Sequence, residues 1–198
     1  MKYAGVFLVG LTSLAWGQEK PPIAPPPTQT QSERATPQPV APATVTDTQA
    51  LTFAPQKIAV RLPLGWQVLP VATRQSGTLA SLAPLGTSGA TLALSYADDP
   101  TRTRLPDNLP ATIATALGKR YPGFQQTAKQ RLALAGGDAW VLDGQVRPSG
   151  QSVVVKNRQV YLCHAGRIYI FTLTSKKDDF ERLTPSLDRM LKSITWLD

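Results

Sequence analysis

The spacing of apolar positions changes character several times along the chain, and each change marks an element. Ile58, Val60 and Leu62 alternate with Lys57, Ala59 and Arg61, the period of two expected of a strand with one covered face. Pro63-Leu64-Gly65-Trp66 breaks that run, and Gln67 to Val71 resumes it. Two more extended runs, Leu79 to Leu85 and Thr91 to Ala97, flank Gly86-Thr87-Ser88-Gly89, whose composition predicts a hairpin connection. Together these runs predict the antiparallel beginning of a sheet.

The period then lengthens. After Asp107-Asn108, the residues Leu109, Ile113, Ala116, Leu117 and Tyr121 fall at helical spacings, with Pro110 tolerated in a first turn and Pro122-Gly123 as a stop. A helix of about three turns is expected. Leu132 and Leu134, then Ala139 to Val146, return to strand character around Gly136-Gly137. Ser152 to Leu162 and Ile168 to Thr174 are the strongest strand runs, joined by Cys163-His164-Ala165-Gly166-Arg167. Asp178, Asp179 and Glu181 open a last helix carrying Phe180, Leu183, Leu187, Met190, Leu191 and Ile194. Carboxylates at its start and Arg189 and Lys192 near its end suit the helix dipole, while Pro185 is placed to split off its first turn. The order strands, helix, strands, helix predicts an α+β domain with helices laid on an antiparallel sheet.

Composition divides the chain before this domain begins. Of 18 prolines, eight fall between Gln18 and Ala50, in a segment of Pro, Thr, Gln and Ala without an aromatic residue. Such a segment buries too little apolar surface to offset its ordering entropy, so residues 18–50 are expected to be a disordered linker. Fully extended at ~3.1 Å per residue, it would reach on the order of 100 Å. Ahead of it, Lys2, the apolar stretch Tyr3 to Leu14 and Ala15-Trp16-Gly17 have the order of an export signal cleaved after Gly17. The apolar stretch is short of the roughly 20 residues of a spanning helix. The expectation is an extracytoplasmic protein, periplasmic or secreted, with its folded domain over residues 51–198.

Near the end of the chain the residues carry a resemblance. Pro63-Leu64-Gly65-Trp66 after an opening strand, a mid-chain helix, then Gly166-Arg167-Ile168-Tyr169-Ile170-Phe171-Thr172-Leu173-Thr174 leads into Asp179-Phe180-Glu181 and a helix ending Leu191-Lys192-Ser193-Ile194. This pattern resembles the PsbP-like superfamily over roughly Leu51 to Asp198, although the lipobox cysteine common among its bacterial members is missing. The resemblance implies an α/β/α sandwich with a central, mainly antiparallel sheet, and a non-catalytic accessory or binding role outside the cytosol.

Charge adds the local functional clue. The chain has a formal net charge of +8, and Leu51 to Asp198 holds 18 Lys and Arg against 10 Asp and Glu. Between Gly144 and Lys177 there is no acid, and Arg147, Lys156, Arg158 and Arg167 are the candidate basic face. Such a face would take an anionic envelope component, a phospholipid surface or an acidic protein; the other reading is a solvated basic surface that aids solubility. Nucleic acid would suit the charge, but the export signal argues against it and no reader motif is present.

Candidates for chemistry are few. Cys163-His164 invites a nucleophile and base, yet neighbours on a strand point to opposite faces. Asp138 and Asp143 are separated by an odd offset and face opposite ways for the same reason. Asp98-Asp99-Pro100 reads as a loop start, because no ladder of further oxygen ligands follows it. One cysteine and one histidine leave no Cys/His zinc set, and neither a catalytic residue nor a cofactor is assigned. Trp66, Trp140, Tyr169 and Phe171 are expected in or beside the core. The alternative function is an extracytoplasmic hydrolase using Asp143, His164 or a serine in a cleft.

Overall fold

The computed structural model describes residues 49–70 and 77–197, so the leader, nearly all of the Pro-rich segment and Val71 lie outside the described residues. Among the described residues the elements run β1 (Ala50–Phe53), β2 (Ile58–Arg61), β3 (Trp66–Val68), β4 (Thr78–Pro84), β5 (Thr91–Asp98), α1 (Leu109–Arg120), β6 (Gln125–Leu134), β7 (Gly137–Val146), β8 (Val155–His164), β9 (Arg167–Lys176), α2 (Lys177–Lys192) and β10 (Thr195–Trp196). A seven-stranded antiparallel sheet has the order β3-β4-β5-β9-β8-β7-β6, and a three-stranded sheet has the order β1-β2-β10. No helix among the described residues is long and apolar enough to cross a membrane.

The two strongest apolar runs are the central strands because both of their faces are covered. β9 is buried at every position between Arg167 and Lys176, and β8 is nearly so. Their alternate residues divide between two layers. Val160, Leu162, Tyr169, Phe171 and Leu173 meet Phe180, Leu183, Leu187 and Met190 of α2, together with Ile58 and Val60 of the small sheet. Tyr161, Cys163, Ile168 and Ile170 meet Leu109, Ile113 and Leu117 of α1. One helix on each side of an antiparallel sheet makes the α+β sandwich that the element order predicts.

The second layer is also held by charge. Arg131 donates to both carboxylate oxygens of Asp138 at 2.8 and 2.7 Å and to the Leu105 carbonyl at 2.8 Å, and it pairs with Asp107. Asp138 in turn accepts the Leu105 backbone N–H at 2.7 Å. This clamp fastens the loop ahead of α1 to the sheet, with Leu105 buried beneath it.

Several boundaries differ from the sequence expectations, each for a physical reason. The run at Ile58 forms β2, but it pairs with β1 and β10 in the small sheet rather than opening the large one. Cys163 and His164 belong to β8, since the connection to β9 is only Ala165-Gly166, both with positive φ (47° and 74°) as a tight hairpin turn requires. Helix α2 passes unbroken through Pro185, which is exposed, as is Glu181 one turn back, whose carbonyl the proline ring leaves without its helical donor. Ile194 falls beyond the helix, where Ser193 caps it by donating from its backbone N–H to Arg189 and Met190 carbonyls.

Candidate functional site

Where β8 turns into β9, a cleft of about 560 Å³ opens between the large and small sheets. Lys57, Asp98, His164, Arg167, Tyr169 and Trp196 line it. Each is placed by a backbone constraint that can be traced. Trp196 sits on β10, opposite Ile58, and its indole N–H donates to the Ala135 carbonyl at 2.6 Å. His164, the last residue of β8, lies flat on that indole, with ring centroids 3.8 Å apart and planes 3° from parallel. Tyr169 approaches the same indole at 5.2 Å, tilted by 45°, and its hydroxyl donates to the Gln56 carbonyl at 2.6 Å. Lys57 closes a 3-10 turn in the left-handed conformation (φ 56°), and its carbonyl accepts the Leu197 N–H. Asp98 and Arg167 face each other across β5 and β9, and Arg167 Nε donates to Asp98 Oδ1 at 2.8 Å.

Gly166 seats the rim. Its carbonyl accepts the Asp99 N–H at 2.9 Å, and a Cβ at this position would stand 2.9 Å from Pro100 Cα. A side chain there would force the loop after β5 off the hairpin.

Burial lowers the His164 pKa below the ordinary imidazole value, which favours the neutral ring. The Arg167 guanidinium is held more firmly charged, chiefly by its hydrogen bond to Asp98. Among the described residues no hydrogen bond or ion pair engages the Lys57 ammonium or the His164 ring nitrogens. The cleft therefore offers one uncommitted cation, one uncommitted imidazole and a partly committed guanidinium against an aromatic wall. Such donors suit a carboxylate or phosphate oxygen.

The chemistry-bearing pairs proposed from sequence are separated. Cys163 points to the α1 side, where it is buried, its Sγ donates to the Arg102 carbonyl at 3.6 Å and burial pushes the thiol pKa up. His164 points into the cleft on the other side, so no dyad forms. Asp138 belongs to the Arg131 clamp, whereas Asp143 receives two hydrogen bonds from Arg158 at 2.7 and 2.8 Å. Asp99 accepts from Thr101 and from Arg102, the ordinary work of a loop-starting aspartate. Among the described residues no three His, Cys, Asp or Glu side chains gather to hold a metal ion.

The four basic residues singled out from sequence are not gathered into one patch: Lys156, Arg158 and Arg167 share the α2 side of the large sheet but lie toward its two ends. Lys156 and Arg158 stand side by side near the start of β8, over the Phe180 ring at 5.2 and 5.9 Å, and Lys156 pairs with Glu181 at 3.1 Å. Arg147 follows the end of β7 beside them. Arg167 is at the far end of the sheet: it pairs with His164, eight positions along β8 from Lys156, or roughly 26 Å at ~3.3 Å per residue. Three of the four also have a carboxylate partner. Sequence reasoning missed Lys57 and Trp196 in the cleft, because nothing in their local spacing foretells that a turn before β2 meets the last strand.

The antiparallel sheet, its two flanking helices and their connectivity form the PsbP-like fold. Solved structures similar to the chain include cyanobacterial PsbP (CyanoP) from Synechocystis sp. PCC 6803, with a TM-score of 0.62 at 13% identity over 80% of this chain and 98% of that one. The Ran-binding protein Mog1p of Saccharomyces cerevisiae is similar at a TM-score of 0.55 and 5% identity, over 77% of this chain and 96% of that one. LpqN, involved in cell envelope biogenesis of Mycobacterium tuberculosis, has a TM-score of 0.48 at 20% identity, over 71% and 83%. No family model matches the chain, and no curated protein matches it by sequence. Likeness at these identities is one of fold, and one fold hosts many functions, so the site has to carry the functional argument.

Proposed function

We propose that this chain is an extracytoplasmic, non-catalytic binding protein of the cell envelope, and that it captures an anionic group in the cleft formed by Lys57, His164 and Arg167. The single observation behind this reading is a cleft whose Lys57 ammonium and His164 ring nitrogens have no hydrogen-bond or ion-pair partner among the described residues. The order of residues at the start of the sequence, that of an export signal, supports the compartment. The hydrolase alternative needs His164 beside a hydroxyl or carboxylate it could use. Stacking on Trp196, the Tyr169 hydroxyl spent on Gln56 and Asp98 spent on Arg167 all weigh against it.

The test is an NMR titration with inorganic phosphate and with an oligo-aspartate peptide at low ionic strength, where screening is weak. Amide shifts should concentrate at Lys57, His164 to Arg167 and Trp196, and Lys57→Gln should weaken binding on the order of tenfold. Protonating His164 adds a positive charge to those of Lys57 and Arg167, so affinity for the oligo-aspartate peptide should rise as pH falls through its depressed pKa. Absence of shifts with both probes, or shifts confined to other residues, would remove the reading.

A further inference from the structure

Leu64, Val68 and Leu85 are the exposed large hydrophobic residues among those described, with relative exposures of 63%, 46% and 57%, and all three belong to β3, β4 and their flanking turns. The two most exposed are tip residues. Leu64 precedes Gly65 (φ 79°) and Leu85 precedes Gly86 (φ 72°), and the Leu85 N–H donates to the Gly65 carbonyl at 2.7 Å, so the leucines project from adjoining turns. Neither turn needs them for packing, and tight turns ordinarily carry polar residues.

These turns leave the sheet at the end opposite the cleft. Thr91, which comes after the Leu85 turn, pairs with Thr174 near the end of β9, and Lys176 pairs with Val155, itself opposite Val146. That end therefore also holds the start of α2, Arg147 after β7 and, through Gln125 opposite Gln145, the end of α1. Cations prevail there: Lys119, Arg120, Arg147, Lys156, Lys177 and Arg182 outnumber the carboxylates Asp178, Asp179 and Glu181. Arg182 reaches Thr87 in the Leu85 turn at 3.2 Å. At the cleft end the arginines are paired instead, with Arg102 on Asp99, Arg104 on Asp107, Arg131 on Asp138 and Arg167 on Asp98, and Lys57 stands apart from these pairs.

We infer that the Leu64 and Leu85 turns and the basic sheet end around them form a docking surface for an anionic lipid bilayer. The features spread across the six strand spacings of the seven-stranded sheet, on the order of 29 Å at ~4.8 Å each. A flat surface engages that breadth at once. Exposed leucines suit the acyl boundary and flanking cations suit anionic headgroups, the two contributions that add in interfacial binding. This surface is independent of the cleft, so each can fail without the other.

Sedimentation of the exported chain with vesicles of phosphatidylcholine containing phosphatidylglycerol, against vesicles of phosphatidylcholine alone, tests it. Binding should require phosphatidylglycerol, fall with added salt, and protect the amides of residues 62–66 and 85–90 from hydrogen exchange. Leu64→Ser with Leu85→Ser should lower the partition coefficient at least tenfold without moving the melting temperature. Arg147→Gln with Lys177→Gln should lower it several-fold, and Lys57→Gln should leave it unchanged. Retention of the double serine variant at the wild-type level would overturn the proposal in favour of a purely polyanionic partner. Equal binding to both vesicle types, or no binding at low ionic strength, would overturn it outright.

Discussion

On the side of the large sheet that carries α2, Leu162, Tyr169, Phe171 and Leu173 pack continuously against Phe180, Leu187 and Met190, and the small sheet extends the same apolar layer. On the side that carries α1, a smaller cluster around Ile113, Tyr161 and Ile170 is closed by the Arg131, Asp138 and Leu105 clamp. Both layers are supplied by alternate residues of the same two strands, so the difference does not lie in the strands. It lies in how each helix is joined to the sheet: α2 continues directly from β9, whereas α1 is reached by a loop with little apolar surface that needs polar anchorage. The candidate cleft opens on the better-packed side, where aromatic rings and a last strand can hold side chains in place. Cys163 and His164, neighbours in sequence, look out on the two different sides.

The sharpest way to break this contrast is to hollow each layer in turn. Phe171→Ala, at a fully buried position under α2, should cost about 3–5 kcal/mol, and Ile113→Ala about 2–3 kcal/mol, read from urea unfolding. Equal costs would mean that the layers are equivalent. Next in size is the clamp. Asp138→Ala removes the acceptor of the Leu105 N–H and should cost about 2 kcal/mol. Its loss should loosen the α1 side alone, so the buried Cys163 thiol should react faster with a thiol reagent while amide exchange in β9 and α2 stays slow. Unchanged thiol reactivity would show that the clamp does not hold that layer.

Acid should act on the same contrast. The hydrogen bond from Arg131 holds the Asp138 carboxyl below the ordinary aspartate value, against the opposing effect of burial. A carboxylate with a depressed folded pKa contributes stability above its unfolded value of about 3.9 and loses it as pH falls through the folded value. The stability gap between wild type and Asp138→Ala should therefore be constant at neutral pH and narrow only below about pH 3.9. A gap that does not narrow there would place the effect of Asp138 elsewhere than in its charge.

The same contrast explains which elements are legible in the sequence. Strand β9 announces itself because its run is β-branched and aromatic on both faces, β8 through its second half Val160-Tyr161-Leu162, and α1 because Leu109, Ile113 and Leu117 keep one stripe between two prolines. Strand β6 is half hidden: at the sheet border Gln125 to Arg131 are mostly exposed on either face, so no alternation marks the first part of a ten-residue strand. β1 and β10 are too short to carry a period, and their pairing with β2 is a tertiary fact. The cleft inherits that difficulty. Arg167 and His164 are visible as chemistry-bearing residues on a strong hairpin, but the opposing wall of Lys57 and Trp196 comes from the parts of the chain with the weakest pattern. The basic face expected from Arg147, Lys156, Arg158 and Arg167 assumed that nearness in sequence gathers side chains, whereas a hairpin sends the two ends of a strand to opposite poles.

His164 supplies the smallest and most discriminating test. Its folded pKa is lowered by burial beside Trp196, so the unfolded chain takes up a proton first as pH falls below about 6.5. Stability should drop through that range and level off once pH passes below the depressed folded value. His164→Phe keeps a flat ring on the indole without the titration. It should match wild type at pH 8 and exceed it at pH 5, measured by paired urea melts. Inorganic phosphate separates the packing role from the binding role. An anion in the cleft gives the imidazolium a partner, so phosphate should erase the wild-type loss at pH 5 and stabilise His164→Phe less, through Lys57 and Arg167 alone. A wild-type curve that phosphate moves no further than the variant's would make His164 a packing residue of the α2 side rather than part of a binding cleft.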